Sequence, residues 1–159
     1  MMLEEAAALL GEVGQPQTLY RWLDEKTKSL VGHKLFTLLY VDGEEVARVY
    51  SSQPDSYKLA GRKRMGPTPW GDLVIRKRTP WLGRTMEDIR WAFPDHALIE
   101  SLGCASCINI PIVYNAATIG TMNILDVANA YDEKSLALVA PYAMLLIPAY
   151  LNAARGIGL

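Results

Sequence analysis

Two cysteines three residues apart are the first residues whose type and spacing could do chemistry. Cys104 and Cys107 lie in the segment Ser101–Leu125, SLGCASCINIPIVYNAATIGTMNIL. A redox or metal function needs both thiols on one accessible feature, with a lowered pKa or further ligands. Residues three apart in a strand point to opposite faces, and neither His33 nor His96 lies at ligand spacing. Small buried thiols are therefore the leading interpretation. Redox sensing is the alternative, and no metal site is expected.

Two asparagines in the same segment are stronger candidates for a binding role. Asn109 and Asn123 lie inside otherwise apolar predicted strands, where a buried amide needs hydrogen-bond partners. Either they bond to nearby backbone, or one of them orients a ligand in a pocket. A two-residue turn at Asn115-Ala116 puts the two amides on opposite faces, whereas a shift of one residue puts them on the same face. Thr121 shares the face of Asn123 in either register.

The middle of the chain supplies aromatic and basic candidates. Nine basic and four acidic residues lie between Gln53 and Ala92, in a chain whose net charge is -1. Basic runs are usually solvated surface, and the alternative is that Arg84 or Arg90 enters a pocket as the partner of a carboxylate or phosphate. The sequence lacks the aromatic–basic interleaving of nucleic-acid-binding modules, so no nucleic-acid partner is expected. Aromatic side chains can fill a core or wall a pocket, and the candidates are Tyr40, Tyr50, Trp70, Trp81 and Trp91.

Turn and periodicity signals predict the elements that position these residues. Two hairpins and several helices are expected, with Val46, Arg48 and Tyr50 on one face of the second strand. Strands joined by hairpins predict an antiparallel sheet of the α+β class, with helices on one face and the irregular segment Gln53–Gly103 closing over the other to form a pocket. The predicted strands are Leu35–Val41, Glu45–Ser51, Ala105–Val113 and Thr118–Val127. The predicted helices are Leu3–Val13, Leu19–Leu30 (capped by Thr18, ended by Gly32), Trp70–Lys77, Asp95–Leu102 (capped by Asp95), and Asp132–Ala154 with kinks at Pro141 and Pro148.

Both ends of the chain bear on localisation. The N-terminal sequence MMLEEAAALLGEV has acidic residues where a secretory signal needs basic ones. Two cysteines without an export signal favour the cytoplasm. Ser135–Ala154 is uncharged and long enough to span a membrane, but its prolines, tyrosines and Asn152 favour a buried or dimer-forming helix.

The second predicted hairpin resembles that of GAF domains. An apolar strand ending in proline, Cys107–Ile112 (CINIPI), is followed by a turn and by Ile119–Ile124 (IGTMNI), and an apolar helix follows Tyr131-Asp132. The resemblance covers nearly the whole chain, Thr18–Ala154. It implies a five- or six-stranded antiparallel sheet, a helix bundle on one face, a small-molecule pocket on the other and dimerisation through the terminal helices.

Two branches of the GAF family allow sharper comparisons. Free methionine-(R)-sulfoxide reductases need a nucleophilic and a resolving cysteine. Segment Gln53–Gly103 has no cysteine, and the positions of Cys104 and Cys107 depart from that family's pattern. Phytochrome-like GAF domains attach a bilin to a cysteine before a histidine, where this chain has Asp95 before His96. A carboxylate cannot form the thioether, so we expect neither a covalent bilin nor another cofactor.

The leading hypothesis is a stand-alone GAF-like domain over residues 16–155, preceded by an N-terminal helix or extension over residues 1–15. It would bind a small, anionic molecule without catalysis, because no nucleophile–base pair can be assembled from the sequence. The alternatives are a homodimerisation or docking module built on the terminal helices, and a thiol-dependent reductase. No membrane partner is expected. The candidate ligand-binding residues are Tyr40, Tyr50, Trp70, Trp81, Arg84, Arg90, Trp91, His96, Asn109, Thr121 and Asn123.

Overall fold

The structure is a computed structural model that describes residues 2–156, and it contains one sheet with helices on both faces. The strands are β1 (Leu35–Asp42), β2 (Glu45–Ser51), β3 (Ala60–Arg64), β4 (Trp81–Gly83), β5 (Ser106–Tyr114) and β6 (Ala117–Asp126). The helices are α1 (Met2–Leu10), α2 (Gln17–Val31), α3 (Met86–Ala92), α4 (His96–Ser101), α5 (Glu133–Ala143) and α6 (Ile147–Ala154), with a π-helical turn at Gly71–Arg76 and a 3-10 turn at Met144–Leu146. The strand order is β3-β2-β1-β6-β5-β4 and all pairs are antiparallel, so the predicted α+β class is confirmed with six strands.

The hairpin of β5 and β6 decides how the two candidate asparagines lie. Its two-residue turn, Asn115 and Ala116, has positive φ at both positions (52° and 61°), as a type I′ turn requires. A bulge between Ile112 and Val113 then shifts the register by one residue. Asn109 is therefore directly opposite Asn123, and both amides lie on the same face of the sheet.

A second bulge reverses the side-chain alternation in β2. Leu39 pairs with Arg48, but the next residue of β1, Leu38, pairs with Tyr50. Val49 is the extra residue, so Arg48 and Tyr50 point to opposite faces. The prediction that Arg48 and Tyr50 share a face is wrong for this reason.

Helices α2, α5 and α6 cover one face of the sheet. Tyr150 of α6 packs edge-on against Tyr40, with ring centroids 5.7 Å apart. This close approach requires a glycine on β6, because a Cβ at Gly120 would lie 2.0 Å from Cε2 of Tyr150. The strand side chains that form this core are Phe36, Leu38, Tyr40, Ile108, Ile110, Ile112, Met122 and Ile124.

The C-terminal helical segment Glu133–Ala154 is long and apolar enough to cross a membrane by length and composition, with a mean hydropathy of 1.6 over its best window. Asp132 caps it as predicted, accepting a hydrogen bond from the Ser135 amide at 2.9 Å. The 3-10 turn interrupts it between Pro141 and Pro148. One third of the apolar window is buried inside the domain, and the side chains that pack on the sheet are Val139, Ala143, Leu146 and Tyr150. One face of this segment therefore belongs to the core.

Two predicted helix caps differ from the structure. α2 begins after Pro16, and the hydroxyl of Thr18 instead donates to the carbonyl of Val13 at 2.8 Å. Asp95 stands at the start of α4, but its side chain makes no capping hydrogen bond and accepts one from Tyr57. Thr18 bonds to the turn that precedes the helix, whereas Asp95 bonds to a tyrosine from a distant segment.

The short strands β3 and β4 were not predicted, because each is held mainly by pairing with its neighbour in the sheet. Helix α3 was not predicted either, although Asp88 accepts a hydrogen bond from the Thr85 amide at 3.3 Å and so supplies a local capping signal.

Replacing Gly120 with alanine tests the contact between α6 and the sheet. The new methyl group would overlap the ring of Tyr150 and the carbonyl of Leu39, so we expect the free energy of unfolding to fall by about 1–3 kcal/mol. Urea denaturation measures this change. Gly61→Ala is the matched control, because a Cβ at Gly61 meets nothing within 4 Å. Equal stability of the two variants would contradict the packing described.

Candidate functional site

A cavity of about 360 Å³ lies between the sheet and the segment that connects β2 to β5. It opens on the face opposite the terminal helices. The sheet contributes Thr37, Leu39, Val46, Arg48, Asn109, Asn123 and Leu125. The connecting segment, which includes the edge strand β3, contributes Tyr57, Lys63, Arg64, Met65, Gly66, Thr68, Trp70, Ala92, Phe93, Pro94, Asp95 and Ile99. The segment closes over the sheet as the sequence predicted, and the volume lies within the range of small-molecule sites.

A chain of side-chain hydrogen bonds crosses the floor of this cavity. The indole Nε1 of Trp70 donates to Oδ1 of Asn109 at 3.0 Å, and Nδ2 of Asn109 donates to Oδ1 of Asn123 at 2.7 Å. Nδ2 of Asn123 in turn donates to Oγ1 of Thr37 at 3.1 Å. Each amide is fixed in orientation by a partner on both sides. Both asparagines line the cavity, with Asn109 fully buried and Asn123 half-buried.

A cluster of charged and aromatic side chains also lines the cavity. The guanidinium carbon of Arg48 lies 3.9 Å from the ring centroid of Tyr57. The hydroxyl of Tyr57 donates to Oδ2 of Asp95 at 2.6 Å, and Nη2 of Arg48 lies 3.8 Å from the same oxygen. Burial raises the pKa of Tyr57 far above its ordinary value, and Asp95 raises it further against the opposing effect of Arg48. The tyrosine therefore stays protonated and donates to the carboxylate.

Three of the predicted binding residues, Trp70, Asn109 and Asn123, are brought together at the cavity. Tyr40 and Tyr50 are not, since both lie on the opposite face of the sheet. Tyr40 packs on α6, and Tyr50 donates to Asp24 of α2 at 2.6 Å. Their predicted position in the pocket is therefore wrong.

The other six candidates also lie away from the cavity lining. Trp81 and Trp91 pack on each other, with ring centroids 5.5 Å apart. Trp81 is half-buried and Trp91 is exposed. Arg84 pairs with Glu133, and Arg90 lies 3.9 Å from Glu100 near the surface. The last two are His96, the first residue of α4, and Thr121, which is fully buried and whose hydroxyl has no hydrogen-bond partner within residues 2–156.

Sequence reasoning missed the residues that join distant parts of the chain. Arg48 carried a usable signal, a charge between apolar residues inside a predicted strand. Tyr57 and Asp95 carried none, because their hydrogen bond joins residues 38 positions apart. Thr37 was missed because its role depends on the register of β1 against β6.

The charges of the basic run Arg62-Lys63-Arg64 are largely matched by acidic residues. Arg62 lies 2.8 Å from Asp42, and Arg64 pairs with Glu44, so the turn between β1 and β2 offsets two of the three charges. Lys63 lies between them and has no ion pair among the described residues. The three side chains are exposed, as predicted for a solvated run, and Lys63 and Arg64 also border the cavity.

The two cysteines lie buried in one apolar cluster with Leu35, Ile99 and Leu125. Cys104 precedes β5, so strand alternation does not apply to it, and the expectation of opposite faces is wrong. Burial raises the pKa of the Cys104 thiol to about 11, and that of Cys107 still further. Among residues 2–156 no group of three or more His, Cys, Asp or Glu side chains is placed to hold a metal.

Comparison with solved structures identifies the architecture. The GAF domain of a two-component sensor histidine kinase from Bacillus halodurans superposes with a TM-score of 0.72 at 15% identity, over 89% of this chain and 97% of that one. This chain has the GAF-domain fold. The GAF domain of a phosphoenolpyruvate-protein phosphotransferase from Coxiella burnetii gives a TM-score of 0.71 at 16% identity, over 97% and 94%. A GAF domain/HD domain protein from Geobacter sulfurreducens gives 0.70 at 12% identity, over 89% and 97%.

No protein-family model and no curated protein matches the sequence. At these identities the likeness to the solved GAF domains is one of fold. The predicted resemblance to GAF domains is confirmed at that level.

The burial of the thiols predicts that they do not react in the folded protein. With a pKa of about 11, roughly one Cys104 thiol in a thousand is ionised at pH 8, and the thiolate is the reactive form. We expect neither cysteine to react with Ellman's reagent until urea unfolds the chain, and then both to react. An Asp55→Cys variant, with its new thiol on an exposed residue, is the control and should react at once. Rapid labelling of the native wild type would revive the redox interpretation.

Proposed function

We propose that this chain is a regulatory domain that binds a small molecule in the cavity between the sheet and the connecting segment. The observation that carries the proposal is the chain of hydrogen bonds from Trp70 through Asn109 and Asn123 to Thr37. It holds polar groups in fixed orientations beside apolar walls, which is the composition of a ligand site. The proteins that share the fold include a sensor kinase and a phosphotransferase, in keeping with a sensor role in the cytoplasm.

Binding without catalysis fits the side chains at the cavity. Tyr57 and Asp95 are bonded to each other, and neither Cys104 nor Cys107 lines the cavity. A thiol-dependent reductase would need a reactive cysteine there. We therefore propose a sensor without a catalytic step, and without a nucleic-acid or membrane partner.

Ligand binding can be tested by nuclear magnetic resonance with a fragment library of neutral, cationic and anionic compounds. We expect at least one class of fragment to shift the amide resonances of Asn109, Asn123 and Trp70. A Leu39→Trp variant, which fills the cavity, should abolish these shifts, whereas Leu59→Trp on the exposed surface should retain them. A library without any cavity binder would overturn the proposal.

A second function, homodimerisation, is favoured by the outer face of α5 and the turn that follows it. Leu138 is 47% exposed and Met144 also lies at the surface, in a segment with no charged side chain from Ser135 to Ala154. A second copy of the same face would cover these apolar groups without opposing charges. The two functions are compatible, because the cavity lies on the other face of the sheet.

Sedimentation velocity at micromolar concentration tests the dimer. We expect the wild type to sediment as a dimer and Leu138→Glu to sediment as a monomer, because the carboxylate would be buried without a partner. Leu59→Glu is the matched control at a 56% exposed leucine outside the terminal helices, and it should remain dimeric. A monomeric wild type would exclude this function.

A further inference from the structure

We infer that the ligand of the cavity is a small carboxylate with an apolar body, and that Arg48 binds its carboxylate group. The inference rests on the proposed function, since it names the chemical class of the molecule bound there. It is carried by the hydrogen-bonding groups left unused at the cavity, by the fixed position of Arg48 and by the balance of charge.

The polar groups without partners at the cavity are mainly donors. Within the part of the chain that the structure describes, Arg48 makes one hydrogen bond, from Nη1 to the carbonyl of Lys58 at 2.8 Å, which leaves its other N–H groups available. The hydroxyls of Thr37 and Thr68 each accept one hydrogen bond and donate none among the described residues. Oδ1 of Asn109 accepts from Trp70, Oδ1 of Asn123 accepts from Asn109, and Oδ2 of Asp95 accepts from Tyr57. Of these three side chains, only Asp95 keeps an oxygen, Oδ1, without a hydrogen bond among the described residues. A ligand that satisfies this site must supply acceptors.

The structure holds Arg48 in place before any ligand arrives. Its side chain is 21% exposed, one face lies against the ring of Tyr57, and one edge is tied to the carbonyl of Lys58. A guanidinium fixed in this way presents its remaining N–H groups without a further loss of side-chain freedom. Its ion pair with Asp95 is long, at 3.8 Å, and the nearer partner of Asp95 is Tyr57. A carboxylate can therefore approach Arg48 while Asp95 keeps its hydrogen bond from the tyrosine.

Charge and size select a monoanion with an apolar body. The lining carries two positive charges, Arg48 and Lys63, against the single carboxylate of Asp95, while Arg64 is paired with Glu44. One positive charge therefore remains unmatched among the described lining residues. A carboxylate matches that charge, and a doubly charged phosphate exceeds it. The remaining lining is apolar, with Leu39, Val46, Met65, Phe93, Ile99 and Leu125. A volume of about 360 Å³ suits a compact metabolite.

The probes are three carboxylates with different apolar bodies (isovalerate, phenylacetate and indole-3-acetate), each compared with its own primary amide. Dissociation constants are measured by titration of the amide resonances at the cavity. We expect at least one carboxylate to bind at least about tenfold more tightly than its amide, as a charge-assisted hydrogen bond implies. Arg48→Met should lower the ratio of the amide's to the acid's dissociation constant by about tenfold or more, so that the preference is lost. Arg90→Met, at a surface arginine outside the lining, should leave it unchanged.

Further arms separate the possible failures. Arg48→Lys keeps the charge and should retain part of the preference, which covers the case in which Arg48→Met does not fold. Equal binding of acids and amides, or tighter binding of benzylphosphonate than of phenylacetate, would overturn the inference. If no carboxylate binds but other library fragments bind in the cavity, the inference is overturned and the proposed function stands. Failure of the whole library would overturn both.

Discussion

A buried amide must find hydrogen-bond partners, and this constraint at Asn109 links the layers of the molecule. Asn109 is fully buried on the cavity face of β5, where it accepts from Trp70 of the connecting segment and donates to Asn123 of β6. The Asn109 side chain thereby joins the connecting segment to β5, and β5 to β6. Because an unpaired amide in this position costs about 1–3 kcal/mol, the segment that carries Trp70 is held over the sheet.

Two bulges distribute the side chains between the faces of the sheet. The bulge near Ile112 places Asn109 opposite Asn123, and the bulge at Val49 sends Arg48 to the cavity and Tyr50 to the helices. Without either one, the polar groups that make the cavity a candidate site would be divided between the two faces. The apolar face, in contrast, is continuous and carries α2, α5 and α6.

The comparison with solved GAF domains shows how little the fold depends on particular side chains. Domains with 12–16% identity share the architecture, so the sheet and its helix layer do not require a particular set of side chains. The groups at the cavity of this chain, above all Arg48 with Tyr57 and Asp95, are the ones that give the site its own chemistry. The redox interpretation loses support for a related reason, since Cys104 and Cys107 belong to packing and not to the cavity lining.

The sequence by itself determined the elements whose signals are local. The turns at Gly43 and at Asn115-Ala116, the Asp132 cap and the apolar alternation of the strands specified two hairpins and a long helix, and their order specified the sheet. Only the tertiary structure decided the site. A bulge adds one residue without a strong local signal, yet it moves every later side chain to the other face. The contact of Tyr57 with Asp95 depends on how a long irregular segment folds back, and no spacing in the sequence encodes that distance.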